Sequence, residues 1–430
     1  MMRTLFYPSR EEWKGLCRRP SVEKKELEKS VLHTLNEVKM YGDKAVLDFT
    51  EKYDGVIIKS LKIPIAEISQ SENLVDEQLK AAIRVASENI SKFHLPQLVK
   101  ESEIEICHGI RCWRKNVPIE KVGLYIPGGS APLFSTVLML AIPAKLAGCK
   151  RIVLCTPPGK DGKVNPLILY AALITGITEI IMAGGAQAIA GMAYGTESIP
   201  AVYKIFGPGN QYVTKAKELI RQDGVQIDIP AGPSEVLIIA DNKANPAYVA
   251  ADLLAQAEHG TDSQVLLLTD SQDLIEPVKQ AVGMQLNNLE RKEIVLKALE
   301  YSSFVLLKNM DDCMDFSNFY APEHLIINTL NANILADMVI NAGSVFLGPY
   351  SCVSAGDYAV GTNHTLPTNG LARNESGVSV ESFMKKISFQ QINKEGIRKL
   401  EKTISLMAEA ESLQAHKNAV TVRINSPEND

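Results

Sequence analysis

The chain is predicted to be an α/β protein built from two tandem incomplete Rossmann-like parallel-sheet domains, with helical N-terminal and C-terminal extensions. Two observations predict this. From residue 122 onward, short apolar runs alternate with helix-like stretches, and each run leads into a Gly or Pro turn, the pattern of β-α units that feed a parallel sheet. A second such series begins after Gly232-Pro233, and at 430 residues with 46% hydrophobic content the chain can bury more than one core.

In chain order, residues 1 to about 100 read as mainly helical. Charged stretches at 22–38 and 76–93 carry apolar residues three or four apart, and 56–63 is the one strand candidate. This part reads as scaffold. Runs at 122–126, 152–155, 179–183 and 202–206 make the first β-α series. Its turns, at 123–129, at Gly184-Gly185-Ala186-Gln187 and at Phe206-Gly207-Pro208-Gly209-Asn210, place glycines at the carboxyl ends of candidate strands. Bare backbone amides and helix N-termini there can hold phosphate, although none of the three spells Gly-x-Gly-x-x-Gly. Runs at 236–240, 265–269, 304–307, 325–328 and 344–347 make the second series. Within it, Asn245 and Pro246 suit the N-cap and first turn of a helix and Gly260 its C′ position, so Gln256 and His259 fall in the last turn. Residues 351–377, rich in Gly, Ser, Thr and Asn, read as a long functional loop. A last helix spans about 394–415, near a short tail at 420–424. The expected regions are therefore 1–110, mainly helical; 111–233, an NAD-binding Rossmann-like domain; 234–377, a second such domain with the metal and catalytic residues; and 378–430, a helical arm.

Composition excludes several classes. With 45 Lys and Arg against 50 Asp and Glu, a net charge of −5 and no basic run, no nucleic-acid partner is expected. The seven cysteines are odd in number and lack Cys-x-x-Cys spacing, which fits a reducing compartment. The N-terminus has no signal-peptide core, and the longest apolar stretch, 137–144, is too short to span a membrane. A soluble, cytoplasmic protein without a membrane partner is expected.

Chemistry concentrates late in the chain. Four of the seven histidines lie beyond residue 255, each with a carboxylate or amide close in sequence: Gln256 and Glu258 before His259, Glu323 before His324, Asp357 before His364, and Glu411 before His416. Gln256 and His259 can face one ion from a shared helix side, and Asp357 and His416 can complete a nitrogen and oxygen shell from other segments. Glu323 and His324 follow Pro322 and open an apolar run, so two ionisable groups sit at a sheet edge where burial can tune them for proton transfer, with a structural cap as the plainer alternative. A thiol nucleophile is not expected, since Cys149 and Cys155 sit in apolar runs and read as core.

Over about 118–423 the chain resembles the histidinol dehydrogenase family. The resemblance is carried by VGLYIPGGSAPLFST at 122–136, GGAQA at 184–188, IFGPGN at 205–210, AGPSE at 231–235, QAEHG at 256–260, PEHL at 322–325, SAGDY at 354–358, GTNH at 361–364 and AHKNA at 415–419. It implies oxidation of L-histidinol through the aldehyde to L-histidine, the last step of histidine biosynthesis, with NAD as hydride acceptor and one zinc per subunit. It also implies zinc ligands Gln256, His259, Asp357 and His416, with His324 as general base and Glu323 activating water. Ser234, His364 and Glu411 would contact substrate alongside His324 and the metal ligands, and Tyr125, Gln187 and Asn210 would contact NAD. Family members are homodimers with a domain-swapped C-terminal arm, so Glu411 and His416 are expected to complete a partner's site. The residues also admit a related zinc- and NAD-dependent dehydrogenase of another amino alcohol or diol, or a metal-dependent hydrolase that leaves the three glycine turns unexplained.

Overall fold

The computed structural model describes residues 2–19, 24–128, 132–230 and 232–426. The first residues of the expected 22–38 helix, positions 129–131 of the first glycine turn, and Ala231 lie outside them. The chain divides into two compact units, one of Met1–Gln97 with Ile119–Phe383 and one of Leu98–Pro118 with Met384–Asp430. This differs from four consecutive regions, because segments distant in sequence share a sheet in each unit.

The larger unit holds two all-parallel sheets, and the predicted fold class is borne out. The first runs in the order Glu179–Met182, Arg151–Thr156, Lys121–Tyr125, Lys204–Phe206, Gln226–Ile227. Its strand order reverses between Lys121–Tyr125 and Lys204–Phe206, which are hydrogen-bonded neighbours with Val122 opposite Lys204. The turns that follow these two strands therefore open side by side at a topological switch point. The second sheet runs Arg3–Phe6, Ser303–Leu306, Gln264–Thr269, Glu235–Ala240, His324–Asn328, Ser344–Leu347. Along Glu235–Ala240, Val236, Ile238 and Ala240 enter one core while Leu237 and Ile239 enter the core on the opposite face. Burial on both faces is why this strand reads as an uninterrupted apolar run.

Several expectations need correction. The N-terminal region is not a separate scaffold: Arg3–Phe6 is an edge strand of the second sheet, paired with Ser303–Leu306. Residues 56–63 do not form a strand. They make one antiparallel bridge, Lys62 to Ile181, along the edge of the first sheet, and Pro64 then offers no N–H with which to extend it. The 22–38 helix continues as Lys24–Asp54, bent at Gly42 where φ is 56°. The 76–93 helix is Glu77–His94, capped by the Asp76 carboxylate on the amides of Gln78 and Leu79. In the 351–377 loop, Val353–Ala355 and a π-helical turn at Gly356–Val360 form a helical segment.

The smaller unit pairs Met384–Ile392, Ile110–Pro118 and Ile104–Cys107 in an antiparallel sheet, with two helices, Lys394–Ala410 and Gln414–Asn425. The single last helix is thus broken at Ser412, whose φ is 59°, and the expected tail at 420–424 lies inside its second half. None of the three strands was expected, since Met384–Ile392 is mostly exposed and its pairing partner lies far away in sequence. Among the described residues no helix is long and apolar enough to cross a membrane.

Candidate active site

The second sheet brings the late-chain residues together at its amino edge. Glu235 is the first residue of one strand and His324 the first of its neighbour, with His324 opposite Val236. The helix Pro246–Ala257, capped by Asn245 with Pro246 in its first turn, runs back from the carboxyl edge, as a connection between parallel strands must. Its C-terminus delivers Gln256 beside Glu323. Gly260 does not take the left-handed backbone of a C′ glycine; the helix ends on Glu258 with right-handed backbone instead, leaving His259 just beyond it and exposed. Gly343 lets the next strand close in, because a Cβ there would stand 2.6 Å from the carbonyl oxygen of Glu323.

Glu323 and His324 are both buried. Glu323 Oε2 accepts the backbone N–H of Glu235 at 2.8 Å and faces the Gln256 amide nitrogen at 3.5 Å. His324 Nδ1 is 3.1 Å from the carbonyl oxygen of Glu235, so Nδ1 carries the proton and donates it there. In the neutral ring that tautomer leaves Nε2 as a lone pair, and Nε2 is buried without a hydrogen-bond partner. Burial disfavours a charged imidazole, but Glu323 at 3.4 Å, Asp357 at 3.9 Å and the Glu235 carbonyl outweigh it and push the His324 pKa up to about 9. Its carboxylate neighbours favour a second proton on the ring, and a cation set against Asp357 would oppose it and return His324 to the neutral base.

Asp357 stands on the π-helical turn, and the helix Val353–Ala355 ahead of it packs on Pro246–Ala257. His364 folds against the same turn: its Nδ1 donates to the Asp357 carbonyl at 3.1 Å, and its Nε2 accepts the Thr136 hydroxyl at 3.1 Å. Burial holds the His364 pKa below its ordinary value, in keeping with this neutral bonding pattern. Ser234 precedes Glu235 and is partly buried. Gln256, Glu323, His324, Asp357 and His364 are thus linked by contacts. Among the described residues no three His, Cys, Asp or Glu side chains gather as a metal cluster. Glu411, at the end of Lys394–Ala410, and His416, on Gln414–Asn425, are exposed in the smaller unit.

Tyr125, Gln187 and Asn210 line one cavity of about 600 Å³ at the switch point of the first sheet. The Tyr125 hydroxyl accepts the Gly185 N–H at 3.1 Å, and burial pushes its pKa up to about 12. Gly207 is obligatory here: its φ is 124°, and a Cβ would collide with the Tyr125 carbonyl. The buried Lys217–Asp228 pair grips this glycine from both sides, Lys217 Nζ on its carbonyl at 2.9 Å and Asp228 on its N–H at 2.6 Å. Asn210 Oδ1 is committed to capping the helix Gln211–Ile220, which leaves its amide N–H₂ for a ligand.

Sequence reasoning missed three contributors. Asp54 lines the cofactor-sized cavity from the end of Lys24–Asp54 with Oδ2 unpartnered, and no local pattern marks it. Arg19 reaches the Glu235 carboxylate from the N-terminal segment, equally unsignalled. Thr136 did carry a signal, as a polar residue in the almost wholly buried apolar helix Phe134–Ala147. All seven cysteines are free, and burial pushes the Cys149 thiol up to about 12, away from nucleophilic use.

A family model described as histidinol dehydrogenase matches residues 17–424. The histidinol dehydrogenase of Bacteroides thetaiotaomicron is 54% identical over 426 residues, covering 99% of this chain and 100% of that protein. Its counterpart in Escherichia coli K12 is 48% identical over 419 residues, covering 97% and 96%. The crystal structure of histidinol dehydrogenase from Elizabethkingia anophelis matches with a TM-score of 0.96 at 53% identity, covering 98% of both chains. Matched along nearly its whole length by the family model and by these relatives, the chain belongs to the histidinol dehydrogenase family.

Proposed function

We propose that this protein catalyses the zinc-dependent, NAD-linked four-electron oxidation of L-histidinol, through L-histidinaldehyde, to L-histidine, the last step of histidine biosynthesis. The observation that carries the reading is His324: its Nδ1–H is tied to the Glu235 carbonyl, its Nε2 is free and buried, and a second buried acid-base group, Glu323, lies 3.4 Å away. One such base serves the alcohol and the other the water that a carboxylate product requires.

The chain's residues fit a divalent zinc. Gln256 Oε1 is a buried acceptor with no donor, left free because the amide N–H₂ faces Glu323. With the Asp357 carboxylate and the His259 imidazole it would make a mixed nitrogen and oxygen set of the kind that suits zinc. When bound, zinc supplies a positive charge and a Lewis-acid anchor for substrate nitrogens. For NAD, the cavity at the switch point has the glycine amides, the Asn210 amide and a flanking helix N-terminus that a dinucleotide uses, and NAD when bound supplies the hydride acceptor. His324 Nε2 takes the hydroxyl proton as the alcohol is oxidised. Glu323 takes a proton from water as it adds to the aldehyde; His324, once its first proton has passed to solvent and a second NAD has replaced the reduced one, takes the hydroxyl proton of the resulting hydrate. Ser234 and His364 hold the substrate, so that the aldehyde stays in place between the two oxidations.

The same proposal includes a homodimer in which the partner subunit's His416 completes the zinc shell and the partner subunit's Glu411 contacts the substrate. The exposure of both residues in the smaller unit supports it. Cytoplasmic location is part of this reading, supported by the free cysteines. The direct test is stoichiometry, NADH formed per L-histidinol consumed, for which two is expected and one would end the four-electron reading. Sharing of sites is tested by co-refolding a His416→Ala chain with a Glu323→Gln chain. Each homodimer is expected to form almost no L-histidine, while the mixed dimer regains one intact site; a mixed dimer forming as little L-histidine as its parents would show that the sites are not shared.

A further inference from the structure

The pair that meets substrate in the proposed reaction is held by Glu235 through its backbone, not its carboxylate. Its N–H donates to Glu323 Oε2 at 2.8 Å and its carbonyl accepts from His324 Nδ1 at 3.1 Å. The two peptide planes flank the Glu235 Cα, so a change in its φ or ψ moves both hydrogen bonds together. Its side chain is itself fully buried and enters a clamp of its own. Arg19 Nε lies 3.0 Å from Oε1 and Arg19 Nη2 lies 2.9 Å from Oε2, the two-pronged geometry of a guanidinium on a carboxylate. The N–H of Asn369, a residue in left-handed backbone, adds a third bond to Oε1 at 2.7 Å. Arg19 is in turn stacked 3.7 Å over the Tyr320 ring, donates to the Tyr320 carbonyl at 2.8 Å, and Tyr320 is anchored by its hydroxyl to Gln264 at 2.8 Å.

A largely buried ion pair such as this one is an expensive way to stabilise a fold, since apolar residues of similar volume often do as well or better. What a rigid, doubly bonded fork adds is orientation. We infer that Arg19 and Glu235 are positioning residues for the Glu323–His324 pair: the clamp on the Glu235 side chain sets the backbone groups that aim His324 Nε2 and the Glu323 carboxylate. The inference rests on the proposed oxidation for its kinetic consequence, but the mechanical link from Arg19 to the Glu235 amide stands apart from it. The N-terminal segment thereby controls catalysis from outside the substrate's reach.

The test uses full-length, zinc-loaded protein carrying Arg19→Met, Arg19→Lys or Glu235→Gln. L-Histidinol oxidation is measured below the lowest melting temperature of the set, alongside zinc content and hydrogen exchange of peptides covering 232–240. Arg19→Met and Glu235→Gln are expected to lower kcat by about 10- to 100-fold, as loss of a supporting residue behind a reacting group does. KM and zinc content are expected to stay unchanged, and Arg19→Lys, which keeps the charge without the fork, to fall in between. Exchange at the Glu235 amide should quicken in the same order. Folded variants with wild-type kcat and wild-type exchange would overturn the inference, as would losses that follow melting temperature or zinc content alone. Should Arg19→Met fail to fold, Arg19→Lys and Glu235→Gln decide by the same criteria. If the wild-type protein forms no NADH from L-histidinol, the proposed function fails, and the exchange data still settle whether the clamp governs Glu235.

Discussion

Glu323→Gln is expected to slow oxidation of L-histidinaldehyde by about 10²- to 10⁴-fold, the usual worth of a positioned general base, while oxidation of the alcohol to the aldehyde survives far better. The geometry makes this a clean substitution. Glutamine is the same size as glutamate, and its Oε1 can still accept the Glu235 N–H that Glu323 Oε2 now accepts at 2.8 Å. The buried backbone amide stays satisfied and the strand edge keeps its place. Only the capacity to take a proton from water is lost. The alcohol step calls on His324 Nε2, whose tautomer is set by the Glu235 carbonyl rather than by Glu323. Comparing NADH formation from L-histidinol with that from supplied L-histidinaldehyde reads the two steps separately, and an equal loss in both would refute the division of labour.

Gln256→Ala is expected to remove metal and activity together, with activity falling at least about 100-fold, since even residues that merely support a metal ligand cost 10- to 100-fold. In the protein, the Gln256 amide is divided: its nitrogen faces Glu323 at 3.5 Å and its oxygen has no donor. An unsatisfied buried carbonyl costs free energy unless something occupies its lone pairs, and a cation beside Asp357 would do so. Alanine abolishes that oxygen and also loosens Glu323. Metal content after dialysis, measured with the NADH rate and repeated after adding excess zinc, distinguishes the two effects. Retention of one zinc per subunit with full activity would remove Gln256 from the ligand set.

Much of the parallel architecture can be read from composition over short windows. Strands such as Glu235–Ala240 and Gln264–Thr269 are buried on both faces, so their apolar runs are unbroken; the helix Pro246–Ala257 carries its own start signal in Asn245 and Pro246. The strands of the smaller unit escaped this reading for the opposite reason. Met384–Ile392 is mostly exposed, and its residues alternate too weakly to show a face until Ile110–Pro118 lies beside it. The helical turn that presents Asp357 is also hidden, because a stretch of Gly, Ser, Thr and Asn has no helical periodicity and is held in place by contacts such as Asn89 with the Ala359 carbonyl.

The residue types able to bind a cation and move protons, and their placement late in the chain, were determined by the sequence alone, through motifs in which chemistry and local backbone travel together. Tertiary structure alone decided that Gln256, Glu323, His324, Asp357 and His364 meet at the amino edge of the second sheet while a separate cavity opens at the carboxyl ends of the first. It alone joined Arg19 to Glu235 across 216 positions. Local patterns record what a residue needs from its nearest neighbours, whereas such meetings are chosen by shared burial and strand order, which depend on the whole chain at once.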